Sequence, residues 1–163
     1  MEFRNIFTLL IALVLITSCN EDKQNLKALE GTWISAENYA FDDGSSSSLL
    51  YQFNGDGTFS TLARVIKDGN LNDVIGFTYR AEGKFILEED KLQLSFEQVY
   101  LTDDFQNLPS EIEDLILTSD QYIQEVTITF SDQNSILKFI YPPCPPNANC
   151  VGSQSFNRLA FFE

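Results

Sequence analysis

The chain has 163 residues, a net charge of −14 and no histidine. A negative field of this size repels nucleic acid, and the absence of imidazole excludes a Ser-His-Asp or Cys-His catalytic site. Zinc or copper sites built on histidine are excluded for the same reason. Aromatic residues are abundant, with 14 Phe and 6 Tyr, and this balance favours sheet over helix.

The first 19 residues are typical of a secretory signal peptide. Arg4 gives a modest positive start, and Ile6 to Ile16 is apolar except for Thr8. At 1.5 Å per residue the apolar run reaches roughly 17 Å, well short of a hydrocarbon core of about 30 Å. The small residues before Cys19 resemble a bacterial lipobox. We therefore predict that Cys19 is the lipid-modified first residue of a mature envelope protein. Its acyl chains would anchor it to the outer membrane, on the periplasmic or the cell-surface side.

Two cysteines remain after Cys19, and they lie close together. Cys144 and Cys150 are separated by a proline-rich loop, which in an exported chain predicts a local disulfide. Their spacing differs from Cys-x-x-Cys, which argues against a redox site. We interpret residues 20–28 as a polar tether and residues 29–163 as one domain.

From Gly31 onward the apolar residues recur with period two, which predicts eight strands. In chain order these are Thr32 to Ala40, Leu49 to Phe53, Thr58 to Ile66, Val74 to Leu87, Lys91 to Leu101, Gln121 to Phe130, Ser135 to Tyr141 and Gln154 to Phe162. Gly83 interrupts the fourth strand, as expected for a bulge or bend. The serine run 45–48 is interpreted as a flexible loop. Short connections predict an all-β fold, an eight-stranded up-and-down antiparallel barrel closed between its first and last strands.

Two short helices are predicted beside the strands. Leu26 and Leu29 fit one helical turn before Gly31. Within residues 102–119, Ser110-Glu111-Ile112-Glu113 fits a capping box, and apolar residues at helical spacing follow the same stretch: Leu108, Ile112, Leu115 and Ile116. This segment would lie at one end of the barrel, either as a lid over a ligand or as a cap that keeps water from the core.

Three short motifs resemble the lipocalin-like barrels of small Bacteroidetes lipoproteins. Gly31-Thr32-Trp33 resembles their Gly-x-Trp signature, residues 53–59 their second hairpin, and residues 156–159 their last strand. The resemblance implies a lipocalin or calycin-like barrel. It also implies that Arg158 stacks on Trp33 at the closed end, where a guanidinium would cover the indole ring.

Several turns contain the acidic residues that a calcium loop uses, but their spacing does not fit one. Counted from Asn54, the twelfth position of an EF-hand loop would need a glutamate but holds Val65. We interpret residues 42–44 and 54–57 as turns, and the carboxylates of residues 103–114 as a solvated rim. No metal, cofactor or enzymatic activity is predicted, because no carboxylate pair is singled out for glycosidase chemistry.

Two functions remain open. The first is non-catalytic binding of a small apolar or amphipathic ligand in the barrel mouth, with candidate ligand-facing residues Tyr51, Phe53, Phe77, Tyr79, Phe96, Tyr100 and Phe139. The alternative is a filled barrel whose loops contact another envelope protein or a glycan. A cavity on the order of several hundred Å³ favours the first function, and a packed interior with an exposed apolar patch favours the second. No pattern indicates an oligomeric state.

Overall fold

The computed structural model describes residues 25–35, 39–143, 145 and 151–159, which form a closed antiparallel barrel of eight strands. A helix over residues 25–29 precedes the first strand. The strands are β1 (Gly31–Ser35), β2 (Tyr39–Ala40), β3 (Ser45–Phe53), β4 (Thr58–Lys67), β5 (Val74–Glu88), β6 (Lys91–Leu101), β7 (Ile116–Leu117), β8 (Tyr122–Ser131), β9 (Ile136–Ile140) and β10 (Ser153–Arg158), with a 3₁₀ helix η1 (Ile112–Asp114) before β7. Within these ranges no helix has the length and apolar character needed to cross a bilayer.

The barrel closes through β1, which pairs with β10 on one edge and with β3 on the other. β2 continues the β1 edge by pairing with the first residues of β3, and the short β7 adds to the end of β6. The remaining strands each pair with the next one along the chain. The predicted all-β, up-and-down, eight-stranded barrel is therefore confirmed.

The two ends of the barrel carry different segments. The closed end holds the 25–29 helix and the loops 54–57, 89–90 and 132–135. The opposite end, called the open end below, holds the loops 41–44, 68–73 and 102–121 together with the described residues of 141–152. Antiparallel pairing forces this arrangement, because alternate connections must return at opposite ends of a meander.

Aromatic side chains fill the middle of the barrel. The Tyr51 ring centroid lies 5.4 Å from that of Phe139 and 5.5 Å from that of Phe156. Phe59 and Phe96 meet edge to face at 5.0 Å. All five side chains are buried. Rings packed at these distances leave little empty volume, so the centre of the barrel is a solid core.

The serine run 45–48 is a strand rather than the predicted flexible loop. Ser45 through Ser48 pair with β4, and Ser46 and Ser47 also pair with β2. Serine has a weak preference for strands, but hydrogen bonding to neighbours on both edges overrides that preference. Ser46 and Ser48 are buried, and their Oγ atoms have no hydrogen-bond partner among the described residues.

The helix predicted within 102–119 is reduced to η1, a single 3₁₀ turn. The capping box is wrong, because the N-cap residue is Glu111 and no side chain caps the turn. Ile116 and the residue after it pair with β6 instead, and Thr118 N–H donates to Val99 O at 2.8 Å. The end of β6 extends past its pairing with β8, and this free edge offers backbone partners that an isolated short helix cannot match.

Several predicted features lie outside the described residues. These are the signal peptide, Cys19 and the tether as far as residue 24, and the disulfide between Cys144 and Cys150. The first predicted strand is described as β1 and β2, with residues 36–38 between them outside the description. The last is described as β10, with the chain from residue 160 onward outside it.

Gly83 lies at a β-bulge, which confirms the interruption predicted there. The register between β5 and β6 shifts between Glu82 and Gly83. A Cβ atom at Gly83 would lie 1.9 Å from the carbonyl oxygen of Ser95, so only glycine fits this close approach. The bulge also changes which side chains of β6 face the interior, since a shift of one residue exchanges the two faces of a strand.

Candidate functional site

The closed end is sealed by Trp33 and Arg158, the pair implied by the resemblance. They are register partners on β1 and β10, and the guanidinium carbon of Arg158 lies 4.3 Å from the indole ring centroid. Trp33 is fully buried, and its Nε1–H donates to Leu29 O at 2.8 Å. The expected contact of Arg158 with the Trp33 ring is therefore present. The hydrogen bond to Leu29 holds the helix that precedes β1 against Trp33.

Arg158 also holds three backbone carbonyls. Its Nη1 donates to Glu30 O at 2.8 Å, its Nε donates to Asn134 O at 3.1 Å, and its Nη2 donates to Ala28 O. Burial lowers the pKa of this guanidinium. A Cβ atom at Gly31 would lie 3.0 Å from Nη1, and Gly31 has a φ of +120°, so the glycine of the Gly-x-Trp motif is required. These contacts make the closed end a structural seal.

Four of the seven candidate ligand-facing residues belong to the solid core: Tyr51, Phe53, Phe96 and Phe139. A fifth, Tyr79, is half-buried and packs against that core. The rings of Phe53 and Phe139 pack against Tyr51, and the ring of Phe96 packs against Phe59. These four side chains therefore belong to a packed interior.

The remaining two candidates, Phe77 and Tyr100, were wrongly assigned to the interior. After the β5–β6 bulge Val99 is the buried residue, and Tyr100 lies under the Arg80 guanidinium at 5.3 Å. A second register shift, between Ala63 and Arg64, places Phe77 opposite Arg64. Paired residues share a face of the sheet, so each irregularity exchanges an expected inward side chain for an outward one.

A layer of tyrosines lies on the side of the core that faces the open end. The Tyr79 and Tyr122 hydroxyls are 3.0 Å apart, and the Tyr122 ring stacks on Phe96 at 4.3 Å. Tyr141 packs against the core and donates its hydroxyl to Gln154 Oε1 at 3.2 Å. Burial is the main cause that raises the pKa of Tyr51 and of Tyr79 far above the usual phenol value. The three hydroxyl groups make this layer polar.

A cavity of about 580 Å³ lies at the open end and is called the mouth cavity here. Its lining residues come from β3, β4, β5 and two loops: Phe41, Asp43, Ser45, Ser47, Val65, Ile75, Thr78, Phe105, Gln106 and Leu108. Three of them expose large apolar side chains, Phe41 (49%), Ile75 (46%) and Phe105 (71%). An apolar opening ringed by polar residues is a common form of ligand site.

The wall of the mouth cavity formed by residues 102–109 is tied to β5. Thr102 N–H donates to Thr78 O at 3.1 Å, and Phe77 N–H donates to Pro109 O at 3.0 Å. A Cβ atom at Gly76 would lie 2.5 Å from the Leu108 Cβ, so the loop lies directly over this glycine. Backbone hydrogen bonds at both ends of the segment make it a fixed wall of the cavity.

The loops at the open end carry charge of one sign. Every charged residue in the loops 41–44, 68–73 and 102–121 is acidic: Asp42, Asp43, Asp68, Asp73, Asp103, Asp104, Glu111, Glu113, Asp114 and Asp120. Asp43 lines the cavity, and hydrogen bonds from the Ser45 hydroxyl and backbone lower the pKa of its carboxyl. Among the residues with described positions, no three potential metal ligands gather at one point.

The residues that build the mouth cavity were missed by sequence reasoning. Phe41 and Phe105 lie in loops, and Ile75 is the second residue of β5, a strand whose alternation is broken by the nearby register shifts. Large aromatic residues inside polar loops were the available signal, because a loop otherwise has little reason to hold an exposed phenylalanine. Tyr122 and Tyr141 were missed because they stand at strand ends.

A larger groove of about 760 Å³ crosses the outer face of β5, β6, β8 and β9. Ile86, Gln93, Glu125 and Ile140 line it, and Pro142 and Pro143 border it. These prolines lead into residues 144 and 146–150, outside the described chain. The mouth cavity is therefore the better-defined candidate site.

The chain matches no family model, no curated protein and no solved structure.

Proposed function

We propose that this chain is a lipid-anchored, lipocalin-like envelope protein that binds a small amphipathic ligand in the mouth cavity without catalysis. The observation that carries the proposal is the cavity of about 580 Å³ at the open end, above a solid core. Small-molecule sites typically occupy about 300–1,000 Å³, so one drug-sized molecule fits. Binding would take place at the mouth rather than in the depth of the barrel.

The lining of the mouth cavity supports an amphipathic ligand. Phe41, Ile75 and Phe105 offer apolar surface that is exposed in the absence of a ligand. Ser47, Thr78 and Gln106 supply hydrogen-bonding groups along the same lining. Burial of the apolar surface would drive binding, and the polar groups would orient the ligand.

The anchor is proposed from the lipobox-like sequence that ends at Cys19, with the disulfide between Cys144 and Cys150 formed after export. Intact-mass spectrometry of the protein extracted from its own envelope tests both. We expect a chain that begins at Cys19, carries acyl chains and lacks two hydrogens because of the disulfide. A chain that still begins at Met1 would overturn the anchor, and two free thiols would overturn the disulfide.

Phe105→Ala tests the binding site directly. Phe105 is the most exposed of the apolar lining residues and makes little contribution to the core, so the variant should fold normally. Loss of its ring should weaken binding of Nile red, a neutral apolar dye, by roughly three- to tenfold. The measurement is a fluorescence titration of the full-length chain.

Ile123→Ala is the matched control for the dye titration. Ile123 has a similar exposure of 64% on β8 and is absent from the lining of the mouth cavity. Its truncation should leave dye affinity unchanged. Equal losses in the two variants, or no dye binding at all, would refute the mouth site. Either result would favour the second candidate function, a filled barrel that contacts a protein or glycan. The packed aromatic core independently supports that function.

A further inference from the structure

We propose that the mouth cavity selects ligands whose polar group is a cation, such as an ammonium or guanidinium joined to an apolar body. This inference rests on the proposed function, because it concerns the same cavity. It adds the charge of the ligand, which the apolar lining alone leaves open.

The loops around the mouth cavity are strongly acidic. The loops 41–44 and 102–121 supply both lining residues and carboxylates, and they contain no lysine or arginine. Lys67, the last residue of β4, is a cation at this end and pairs with the lining residue Ser45. The ten carboxylates of the open-end loops outnumber it. Unbalanced carboxylates around a cavity with apolar walls attract cations and repel anions, because field lines concentrate in the opening.

Asp43 itself belongs to the lining of the mouth cavity. Its Oδ1 accepts hydrogen bonds from the Ser45 backbone N–H at 3.0 Å and from the Ser45 hydroxyl at 2.6 Å. Both donors are neutral, so the charge of the carboxylate is held in place without being cancelled. No salt bridge to Asp43 occurs within the described chain.

Among the described residues, no lysine or arginine lines the mouth cavity. The lining side chains apart from Asp43 are apolar, hydroxyl or amide groups. A ligand anion would therefore meet a carboxylate with no compensating donor of positive charge. A ligand cation would meet that carboxylate directly, while its apolar body covers Phe41 and Phe105.

Three fluorescent probes that share one naphthyl ring provide the test: 1-naphthylmethylammonium, 1-naphthylmethanol and 1-naphthoate. Titrations of the full-length chain at low salt should rank the cation first, about tenfold tighter than the alcohol, and the carboxylate last. Added salt should reduce the advantage of the cation, because exposed charges are screened within about 10 Å at 0.1 M ionic strength.

Asp43→Asn should weaken binding of the cation more than binding of the alcohol, so the ratio of the two affinities should fall towards one. Asp56→Asn is a closely matched control. Asp56 makes the same pair of contacts with Thr58, at 3.0 and 2.6 Å, but lies in the closed-end loop 54–57. Equal binding of the three probes would overturn the charge preference and leave the mouth site standing. Failure of all three to bind would instead overturn the proposed function.

Discussion

Arg158→Ala is expected to lower the free energy of unfolding by about 3 kcal/mol, because it strips partners from three backbone carbonyls at once. Those carbonyls belong to Ala28, Glu30 and Asn134. The guanidinium also covers Trp33, so its loss exposes the closed end of the core to water. Denaturant-induced unfolding followed by tryptophan fluorescence measures the change, since Trp33 is the single tryptophan.

Arg80→Ala is the control for this prediction. Arg80 also lies over an aromatic ring, that of Tyr100, and it pairs with Glu82, but it does so on the outer face of the barrel. An exposed pair of this kind contributes about 1 kcal/mol or less. Arg158→Lys should remain destabilising, because an ammonium cannot reproduce the planar fork that reaches several carbonyls. If Arg158→Ala lowers the free energy of unfolding by no more than Arg80→Ala does, the proposal that Arg158 seals the closed end is contradicted.

Phe139→Ala should cost about 3–5 kcal/mol of unfolding free energy, the usual range for truncating a buried phenylalanine in a tightly packed core. Phe139 is fully buried, and its ring centroid lies 4.9 Å from Phe156 and 5.4 Å from Tyr51. The neighbouring strands are held by backbone hydrogen bonds and cannot collapse far into the space left behind. Thermal or denaturant unfolding measures the loss.

The Phe139 result also decides between a solid and a hollow barrel. If the core is solid, Phe139→Ala creates a new cavity and lowers the free energy of unfolding. Dye binding at the mouth then stays nearly unchanged. Phe105→Ala, the exposed counterpart, should change stability by less than about 0.5 kcal/mol. A small stability loss for Phe139→Ala together with stronger dye binding would show that the interior already holds a ligand cavity.

The sequence predicts which side chains face the interior only where the strands are regular. β6 shows the limit clearly: Leu92, Leu94 and Phe96 alternate as expected and are buried. Beyond Phe96 the same alternation fails, because the bulge at Gly83 shifts the register and places Tyr100 outside. Period two predicts which face a side chain takes only while the pairing stays regular.

Local pattern reasoning failed where backbone pairing between distant segments decided the structure. Ser45 to Ser48 have no apolar side chain to suggest a strand, yet β4 and β2 pair with them. The residues after η1 lie at helical spacing, yet the free edge of β6 draws them into β7. In both cases hydrogen-bond partners far along the chain outweigh weak local preferences.

Alternation and turn residues are local signals, and they were sufficient to predict the barrel and its turns. The contact between Trp33 and Arg158 was implied only by the resemblance, because the two residues lie far apart along the chain. The solid interior and the cavity at the open end follow from packing in three dimensions. Phe41, Ile75 and Phe105 are far apart along the chain and meet only when the barrel closes. A cavity is a property of packing among distant segments, and no local pattern encodes it.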